Sequence, residues 1–410
     1  MISRLCLSQV KSTTVFPSVQ FGKTVTIRSA LRGLPVVEPH LAAHPYDPNH
    51  LLAAAMVITS TDQPYESARL SSFVSQDGGK TWNETLHNFW GYDPWTSISE
   101  DGQAVLTWLG TEGSFQNRFP IQFFYSNDGG IGWQGRQTID SDHGHDGTKV
   151  IASGKDFYFT SVRFNDDMSA DVVLFHRRNY GIFEEVAKVS GEGIRLNFCE
   201  PAILSDGSVI VPSSHYLRKA WVQRYDPKLM TLSKKSIITI RPGGQRGYMR
   251  MASDTHTNSP FSDRLYFARA ANGVWLNFST DQGKSWSKDI RVDQFENQLP
   301  SKALVTSLAI NRDGLLAISW RDSQNDPNQD KYDTYFVYSK DGGASFSLPI
   351  RISTVSTNPR ILDNGDVANK FPGGGHYINL VAKSNGSFQV IWSDSRSGYF
   401  ELQTCEITIQ

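Results

Sequence analysis

An all-β chain assembled from repeated antiparallel sheets is predicted by three observations. A short motif, S-x-D-x-G-x-[ST]-[WF], recurs four times. Its copies keep a period near 50 residues, and a polar turn leading into a short apolar strand recurs seven times at a similar interval. Composition agrees, with 12% aromatic residues, 33 Gly, 18 Pro and no run of 18 apolar residues, a profile of short strands and turns rather than long helices.

The motif copies are Ser75-Gln-Asp77-Gly-Gly79-Lys-Thr81-Trp82, Ser126-Asn-Asp128-Gly-Gly130-Ile-Gly132-Trp133, Ser279-Thr-Asp281-Gln-Gly283-Lys-Ser285-Trp286 and Ser339-Lys-Asp341-Gly-Gly343-Ala-Ser345-Phe346, the second with Gly in place of Ser or Thr. Such a segment is a hairpin turn. The Asp carboxylate accepts from backbone N–H groups further along, Gly supplies a positive φ, and the ring folds back over the strands. From Ser75 to Ser126 is 51 residues and from Ser126 to Ser279 is 153, three periods, so two copies have decayed. One falls at His176–Phe183 and one near Arg224–Lys228. The 60 residues from Ser279 to Ser339 imply a short insertion.

The polar turns count the units independently. In order they are Asn49-His-Leu-Leu, Asp101-Gly-Gln-Ala-Val-Leu-Thr-Trp108, Lys155-Asp-Phe-Tyr, Asp206-Gly-Ser-Val, Asp263-Arg-Leu-Tyr, Asp313-Gly-Leu-Leu-Ala-Ile-Ser-Trp320 and Asn385-Gly-Ser-Phe-Gln-Val-Ile-Trp392. Seven such units make a β-propeller of seven blades, which at about 50 residues each takes up roughly 350 residues and leaves no space for a second large domain. Residues 1–20 are expected to be a poorly ordered N-terminal segment and 21–410 a single propeller. The seventh unit runs from Asn385 to a last strand between Phe400 and Ile409, one strand short. Lys23-Thr-Val-Thr-Ile27 has the character to supply it, closing the ring with strands from both chain ends and removing exposed edges.

Charge excludes some partners. Forty basic against 41 acidic residues give a net charge of −1, which offers no electrostatic case for nucleic acid or an anionic membrane. A monomer without membrane insertion is expected. Cys6, Cys199 and Cys405 are odd in number and far apart, which argues against a disulfide framework. The first residues are only briefly apolar and do not read as a secretory signal. Asn83-Glu-Thr, Asn277-Phe-Ser and Asn385-Gly-Ser match the N-glycosylation pattern at a frequency close to chance.

The repeated turn is similar to the Asp box of sialidases and of the wider class of BNR-repeat propellers, and the resemblance runs from about Glu38 to Ile409. It implies that the boxes lie at the periphery, so Asp77, Asp128, Asp281 and Asp341 are read as structural, and that ligands bind where the innermost strands meet the channel. It also implies a carbohydrate or glycoconjugate ligand, an extracellular or periplasmic setting, and six blades rather than the seven counted. The inner segments are Glu38-Pro-His40, Asp93-Pro-Trp95, His143-Gly-His145-Asp146, Asn197-Phe-Cys-Glu200-Pro, Arg246-Gly-Tyr248-Met-Arg250, Ser301-Lys302 and His376-Tyr377. Each carries a charged, imidazole or phenol group suited to proton transfer or anion binding.

Sialidases are retaining glycosidases with a Tyr nucleophile, which in the family is activated by a Glu, with an Asp as acid/base and an Arg cluster that grips the substrate carboxylate. The resemblance assigns Glu200 and Tyr248 the Glu and Tyr roles and Asp93 or Asp146 that of the acid. Arg246, Arg250, His145, Lys302, His376 and Tyr377 become the substrate-binding candidates. The chain departs from the family at its first blade, where Val37-Glu38-Pro39 stands in place of Arg-Ile-Pro and puts a carboxylate where a cation is expected. A polysaccharide lyase using His143, His145, His215, His376, Tyr248 or Tyr377 stays open. So does a non-catalytic glycan- or protein-binding propeller, with Trp90, Trp95 or Trp221 for sugar stacking. No cofactor is required by any of these readings. The oxygen-rich stretch Arg321–Asp333 offers ligands for Ca²⁺ but lacks a recognised calcium-loop spacing, and a solvated loop is the expectation. Gly373-Gly-Gly375 allows movement over the pocket or a close backbone approach.

Overall fold

The computed structural model describes residues 16–110, 119–167, 169–190, 196–198, 200–215, 219–241, 249–296, 298–360 and 365–410. Seven antiparallel sheets follow one another along the chain and form the blades of a β-propeller. Blade 1 comprises Val36–Ala43, Leu51–Ile58, Ala68–Ser75 and Asn83–Trp90; blade 2 Tyr92–Ile98, Ala104–Leu109, Ile121–Ser126 and Gln134–Ile139; blade 3 Gly144–Ser153, Asp156–Phe164, Ala170–Arg177 and Phe183–Ser190. Blade 4 has broken inner and outer strands, Leu196–Phe198 with Ala202–Ile203 inside and Thr231–Leu232 with Ser236–Ile238 outside, around Val209–His215 and Lys219–Asp226. Blade 5 comprises Arg250–Ser253, Leu265–Ala270, Val274–Ser279 and Ile290–Arg291, and blade 6 Leu304–Ile310, Leu316–Asp322, Asp333–Ser339 and Ile350–Arg351. The helix Val367–Lys370 precedes blade 7.

Blade 7 contains Asn379–Ala382, Phe388–Asp394 and Glu401–Ile409, and its outermost strand comes from the other end of the chain. Val19 to Phe21 pair with Ile409 to Ile407, and Val25 to Ile27 pair with Thr404 to Leu402. The blade count and the closing strand both match the sequence reading, and the sixfold count implied by the resemblance does not apply. All seven polar turns join the first and second strands of a blade.

Burial follows from ring geometry. A blade is covered on both faces by its neighbours, so its central strands lack the apolar–polar alternation of a half-exposed sheet. Every residue of Leu51–Ile58, Ala104–Leu109, Leu265–Ala270, Leu316–Asp322 and Phe388–Asp394 is buried, whereas five of the six residues in the outer strand Gln134–Ile139 are exposed. Trp108, Trp320 and Trp392 occupy the same place in the second strands of blades 2, 6 and 7, and all three are buried.

The four boxes connect the third and outermost strands. In each, the Ser hydroxyl donates to the first Asp oxygen and accepts the N–H of the Gly four residues on at 2.8 Å. The same Asp then accepts the N–H four residues on, and in three boxes also the hydroxyl there. The decayed copies occupy the same hairpin. In blade 3 the Arg177 guanidinium donates to the carbonyls of Tyr180 and Gly181, and in blade 4 Asp226 accepts the N–H groups of Lys228 and Leu229.

The Gly four residues after the box Ser has a further duty. It lies against the preceding blade: Gly79 on Gln389, Gly130 on Leu52, Gly283 on Val222 and Gly343 on Leu276. A Cβ on Gly130, whose φ is +95°, would lie 2.7 Å from Leu52 Cδ1. The box is thus a turn and also a contact between blades. Gly130→Ala is expected to cost about 2–3 kcal/mol from positive-φ strain plus overpacking. Gly33→Ala, at φ +77° with open space around it, meets the strain alone, about 1 kcal/mol. Urea unfolding of the two variants checks the order.

Candidate functional site

The N-terminal ends of the innermost strands gather at one pole of the channel, and neighbouring inner strands touch around the ring. Four of these strands are interrupted there by a bulge, at Val37/His40, Tyr92/Trp95, Asp146/Lys149 and Leu304/Thr306. Each bulge holds a residue of positive φ: Glu38 at +56°, Asp93 at +50°, Gly147 at +64° and Val305 at +39°. For a non-glycine residue this conformation costs about 1–3 kcal/mol and re-aims the side chain. In blades 1 and 2 the re-aimed side chain is a carboxyl, and Pro39 or Pro94 follows it, so no N–H is stranded at the break.

Those two carboxyls meet. Glu38 is 1% exposed, is hydrogen-bonded to the Asp93 carboxyl, and accepts at Oε1 both the backbone N–H of His376 (3.1 Å) and its Nδ1 (3.0 Å). Burial opposes charge on Glu38, but the bonds and charge of His376, with the Asp93 bond, outweigh it and hold the carboxyl below its ordinary range. Asp93 moves the other way. Burial and then the Glu38 charge push it well above the ordinary value, Lys149 offsets part of this, and Asp146 adds to it. Adjacent buried carboxyls divide one proton in this manner, and the two opposite shifts favour Asp93 as its holder.

A second carboxyl is held ionised. Glu200 Oε1 accepts Trp95 Nε1–H at 2.9 Å and lies 3.3 Å from His40 Nε2. The Thr96 N–H donates to His40 Nδ1 at 3.2 Å, so a neutral His40 carries its proton on Nε2 and donates it to Glu200. Burial lowers the His40 pKa to about 4, assisted by Arg250 and Lys149 against the opposing pull of Glu200. Burial also works against the charge of Glu200, but the His40 bond, Arg250 and Lys149 prevail and hold it below the ordinary range.

Two cations and two rings complete the cluster. Lys149 Nζ lies 3.7 Å from the Trp95 ring centroid and 3.8 Å from that of Tyr377; Arg250 Cζ lies 4.6 Å and 5.5 Å from the same rings. Trp95 and Tyr377 meet edge to face at 5.3 Å, and His40 packs on Trp95 at 3.8 Å. Burial brings the Lys149 pKa down to about 7, with Asp93 resisting and Arg250 assisting. Arg250 is 2% exposed, and its Nε and Nη2 have no hydrogen-bond partner among the described residues. That edge of a guanidinium matches a carboxylate with two parallel bonds.

Of the residues singled out from the sequence, Glu200, Asp93, Arg250, His376 and Tyr377 come together. Asp146 is exposed at the rim, close enough for its charge to act on Asp93. His145 does not join them. As the neighbour of Asp146 on an extended strand it points to the other face, where Nε2 meets Asp140 at 3.1 Å and Nδ1 meets Ser161 at 3.2 Å. Lys302 is exposed and donates to the Gln329 carbonyl. Arg246 and Tyr248 lie outside the described residues. Among the aromatic candidates Trp95 is in the cluster, Trp90 bonds the Glu66 carbonyl, and Trp221 is blade core.

Sequence reasoning missed Lys149 and gave no role to His40. The signal for His40 was its place two residues after Glu38, matching Trp95 after Asp93. In the stretch weighed for Ca²⁺, Asp322 accepts from Ser301, Lys302 and Ser323, Asp326 from the loop N–H groups of 328, 330 and 331, and Asp333 from Arg351 and Ser353. Among the described residues no group of three or more His, Cys, Asp or Glu is placed to hold a metal ion. The three glycines make their close approach to protein, since a Cβ on Gly375 would lie 2.3 Å from Glu38 Cγ.

Comparison with known proteins agrees on the architecture. The BNR/Asp-box repeat family matches residues 73–84, the first box. No curated protein sequence matches the chain. A protein of unknown function from Dyadobacter fermentans is similar in structure, with 13% identity over 96% of this chain and 100% of that one and a TM-score of 0.53. An α-L-arabinanase from Penicillium chrysogenum complexed with arabinobiose has 11% identity, coverage of 95% and 98% and a TM-score of 0.49. The intramolecular trans-sialidase from Ruminococcus gnavus has 13% identity, coverage of 90% and 94% and a TM-score of 0.47. The chain is a seven-bladed β-propeller that carries a BNR/Asp-box repeat, and at these identities the structural likeness speaks for fold alone.

The His40 shift has a measurable consequence. A His whose folded pKa lies below its unfolded value of 6.5 is neutral when folded and charged when unfolded between the two values. Its contribution to stability is therefore complete above pH 6.5 and is lost as pH falls toward about 4. His40→Gln is expected to flatten the fall in unfolding free energy across this window relative to the parent, as followed by urea unfolding at several pH values. Equal slopes in the two proteins would count against a buried neutral imidazole.

Proposed function

We propose that this propeller is an exo-acting glycoside hydrolase of the exo-α-sialidase type, which binds a terminal acidic sugar at the pole of the channel. The observation that carries this reading is the contrasting surroundings of two of its inner carboxyl groups, Asp93 hydrogen-bonded to the Glu38 carboxyl and Glu200 bonded to Trp95 Nε1–H with His40 3.3 Å away. Burial and the Glu38 charge push the Asp93 pKa up, toward an acid, while His40, Arg250 and Lys149 hold that of Glu200 below the ordinary range, toward an anion. Glycoside hydrolysis needs that division, with one carboxyl giving a proton to the departing oxygen while an anion serves the other half of the reaction.

In this reading Asp93 protonates the leaving group. Glu200 is the base, and the family resemblance supplies its partner, the Tyr248 phenol, as nucleophile. The bare Nε/Nη2 edge of Arg250 receives the sugar carboxylate, and Trp95 and Tyr377 offer an aromatic wall for the ring. His40 and Trp95 fix the Glu200 carboxylate so that its orientation does not have to be established during the reaction.

The test is a panel of fluorogenic glycosides that includes a sialoside. Asp93→Asn and Glu200→Gln are each expected to lower kcat by about 10²–10⁴ with unfolding midpoints close to the parent's, and Tyr248→Phe should behave alike. Arg250→Lys should raise KM about tenfold or more through loss of the paired bonds. Sialoside turnover that persists in both Glu200→Gln and Tyr248→Phe would refute the assignment. Unsaturated products from uronate polysaccharides would point to the lyase reading, and glycan binding without turnover to the non-catalytic one.

A further inference from the structure

We propose that the outer edge of blade 4, with the adjoining corner of blade 5, is a docking surface for an anionic phospholipid membrane, on which the protein lies without spanning it. The proposal is independent of the hydrolase reading and starts from the decayed repeat in blade 4. Aligned with an intact box, the chain keeps the Asp as Asp226 but has Lys228 at the Gly position, Met230 at that of Ser or Thr, and Thr231 at that of the ring. An intact box folds its ring back over the strands; this turn projects instead, with Leu229 70% and Met230 67% exposed. Met230 holds a φ of +53°, a conformation that Asn or Gly takes at less cost, and an exposed side chain recovers little of that cost through packing.

Charge is segregated around this tip. The net charge of −1 conceals a stretch from Lys228 to Arg241 that holds four cations, Lys228, Lys234, Lys235 and Arg241, and no acidic residue. All four are exposed. Blade 5 adds two more. Ser236 Oγ donates to the Lys284 carbonyl at 3.0 Å, and the Arg241 N–H donates to Asp289 Oδ2 at 2.8 Å, so the exposed Lys284 and Lys288 border the outer strand of blade 4. The acids nearby are engaged elsewhere. Asp226 accepts the N–H groups of Lys228 and Leu229, Asp206 pairs with Arg224, Asp281 is bound within its box, and Asp289 pairs with the buried Arg269. Ile237, 60% exposed, stands in the outer strand among these cations.

The mixture of side chains selects the partner. A bilayer with anionic headgroups offers phosphate to the lysines and an acyl boundary to Leu229, Met230 and Ile237, so each finds its own medium. A soluble polyanion would satisfy the cations alone and leave the apolar tip in water. Residues 228–241 and 282–288 also present no exposed aromatic ring on which a base or sugar would stack. Strand direction fixes the orientation. The tip joins the third and outermost strands of blade 4, which places it at the pole opposite the N-terminal ends of the inner strands, so a membrane that receives it leaves the Asp93 and Glu200 cluster facing solution. Among the described residues no helix is long and apolar enough to cross a membrane, and contact of this kind needs none.

Sedimentation of the full chain with vesicles of phosphatidylserine and phosphatidylcholine, and with vesicles of phosphatidylcholine alone, tests the surface. Binding to the mixed vesicles is expected, falling as salt is added. Lys234→Ala combined with Lys284→Ala should weaken it about tenfold or more; Lys235, whose Nζ lies 4.7 Å from the Trp221 ring centroid, is left in place. Leu229→Ser combined with Met230→Asn, where Asn accepts the +53° backbone, should weaken it about tenfold. Unfolding midpoints of both double variants should stay close to the parent's. No binding to the mixed vesicles overturns the proposal, and so does equal binding to phosphatidylcholine alone. Binding that the Leu229 and Met230 changes leave intact also overturns it, and retention on heparin lost only with the lysines would then assign the edge to a soluble polyanion.

Discussion

Ring closure is the constraint on which the remaining structure depends. A blade is stable only when both faces are covered, so seven sheets must join end to end, and the last contact has to be made by strands far apart in the chain. The pairing of Val19–Phe21 and Val25–Ile27 with Glu401–Ile409 makes that contact, and Ile27, Leu402 and Ile391 are buried together at the seam. The box glycines reinforce the ring from outside by letting each turn rest on the preceding blade. Closure brings the inner strands around a common axis, and whatever side chains project there lose water. The unusual ionisation of the cluster descends from this desolvation, since burial is the largest influence on Glu38, His40, Asp93, Lys149 and Glu200 alike.

Desolvation alone would neutralise all five groups. What divides them is the placement of donors, and the placement is the work of the bulges. At Glu38 and Asp93 the strand gives up regular pairing and accepts a left-handed backbone, a cost of about 1–3 kcal/mol each, and the two carboxyls end on each other rather than on opposite faces. Glu200 receives two N–H donors and has Arg250 nearby, so its pKa is held down; Asp93 has another carboxyl as its neighbour, and its pKa is pushed up. A ring of identical, unbulged inner strands would present alternating side chains to the channel with no such pairing.

Most of the architecture was legible because it is written in local, repeated chemistry. A turn needs Asp, Gly and an aromatic residue at fixed offsets whatever the remainder of the blade contains, so four boxes and seven polar turns survive as a count. The closing strand was legible as a deficit, one blade being a strand short. The site was legible only in part. Acid–Pro pairs mark Glu38, Asp93 and Glu200 in blades 1, 2 and 4 near the axis, and these lie in the segments read from the repeats. Lys149 escaped because the bulge at Asp146/Lys149 shifts the register, moving the inward position beyond the segment ending at Asp146. His145 was drawn in by its proximity to Asp146 along the chain, whereas strand alternation sends it to Asp140. Lys302 was read from a segment whose own strand begins only at Leu304.

The departure at the first blade takes on a different meaning once the cluster is assembled. A carboxylate at Glu38 where a related propeller would carry a cation looks, from sequence alone, like damage to an anion-binding site. In the folded chain Glu38 does not face an incoming anion unscreened. It is covered by Gly375, paired with His376 and bound to Asp93, so its charge is committed to neighbouring side chains. The cations of the cluster, Arg250 and Lys149, approach from blades 5 and 3 and lie against the Trp95 and Tyr377 rings. Burial and Glu38 push Asp93 toward its neutral form and burial keeps His40 neutral above about pH 4, so the carboxylates of Glu38 and Glu200 face the Arg250 cation and a Lys149 whose pKa is brought down to about 7. The interior of the ring can therefore hold six titratable side chains without a large uncompensated charge, which at this depth would cost several kcal/mol.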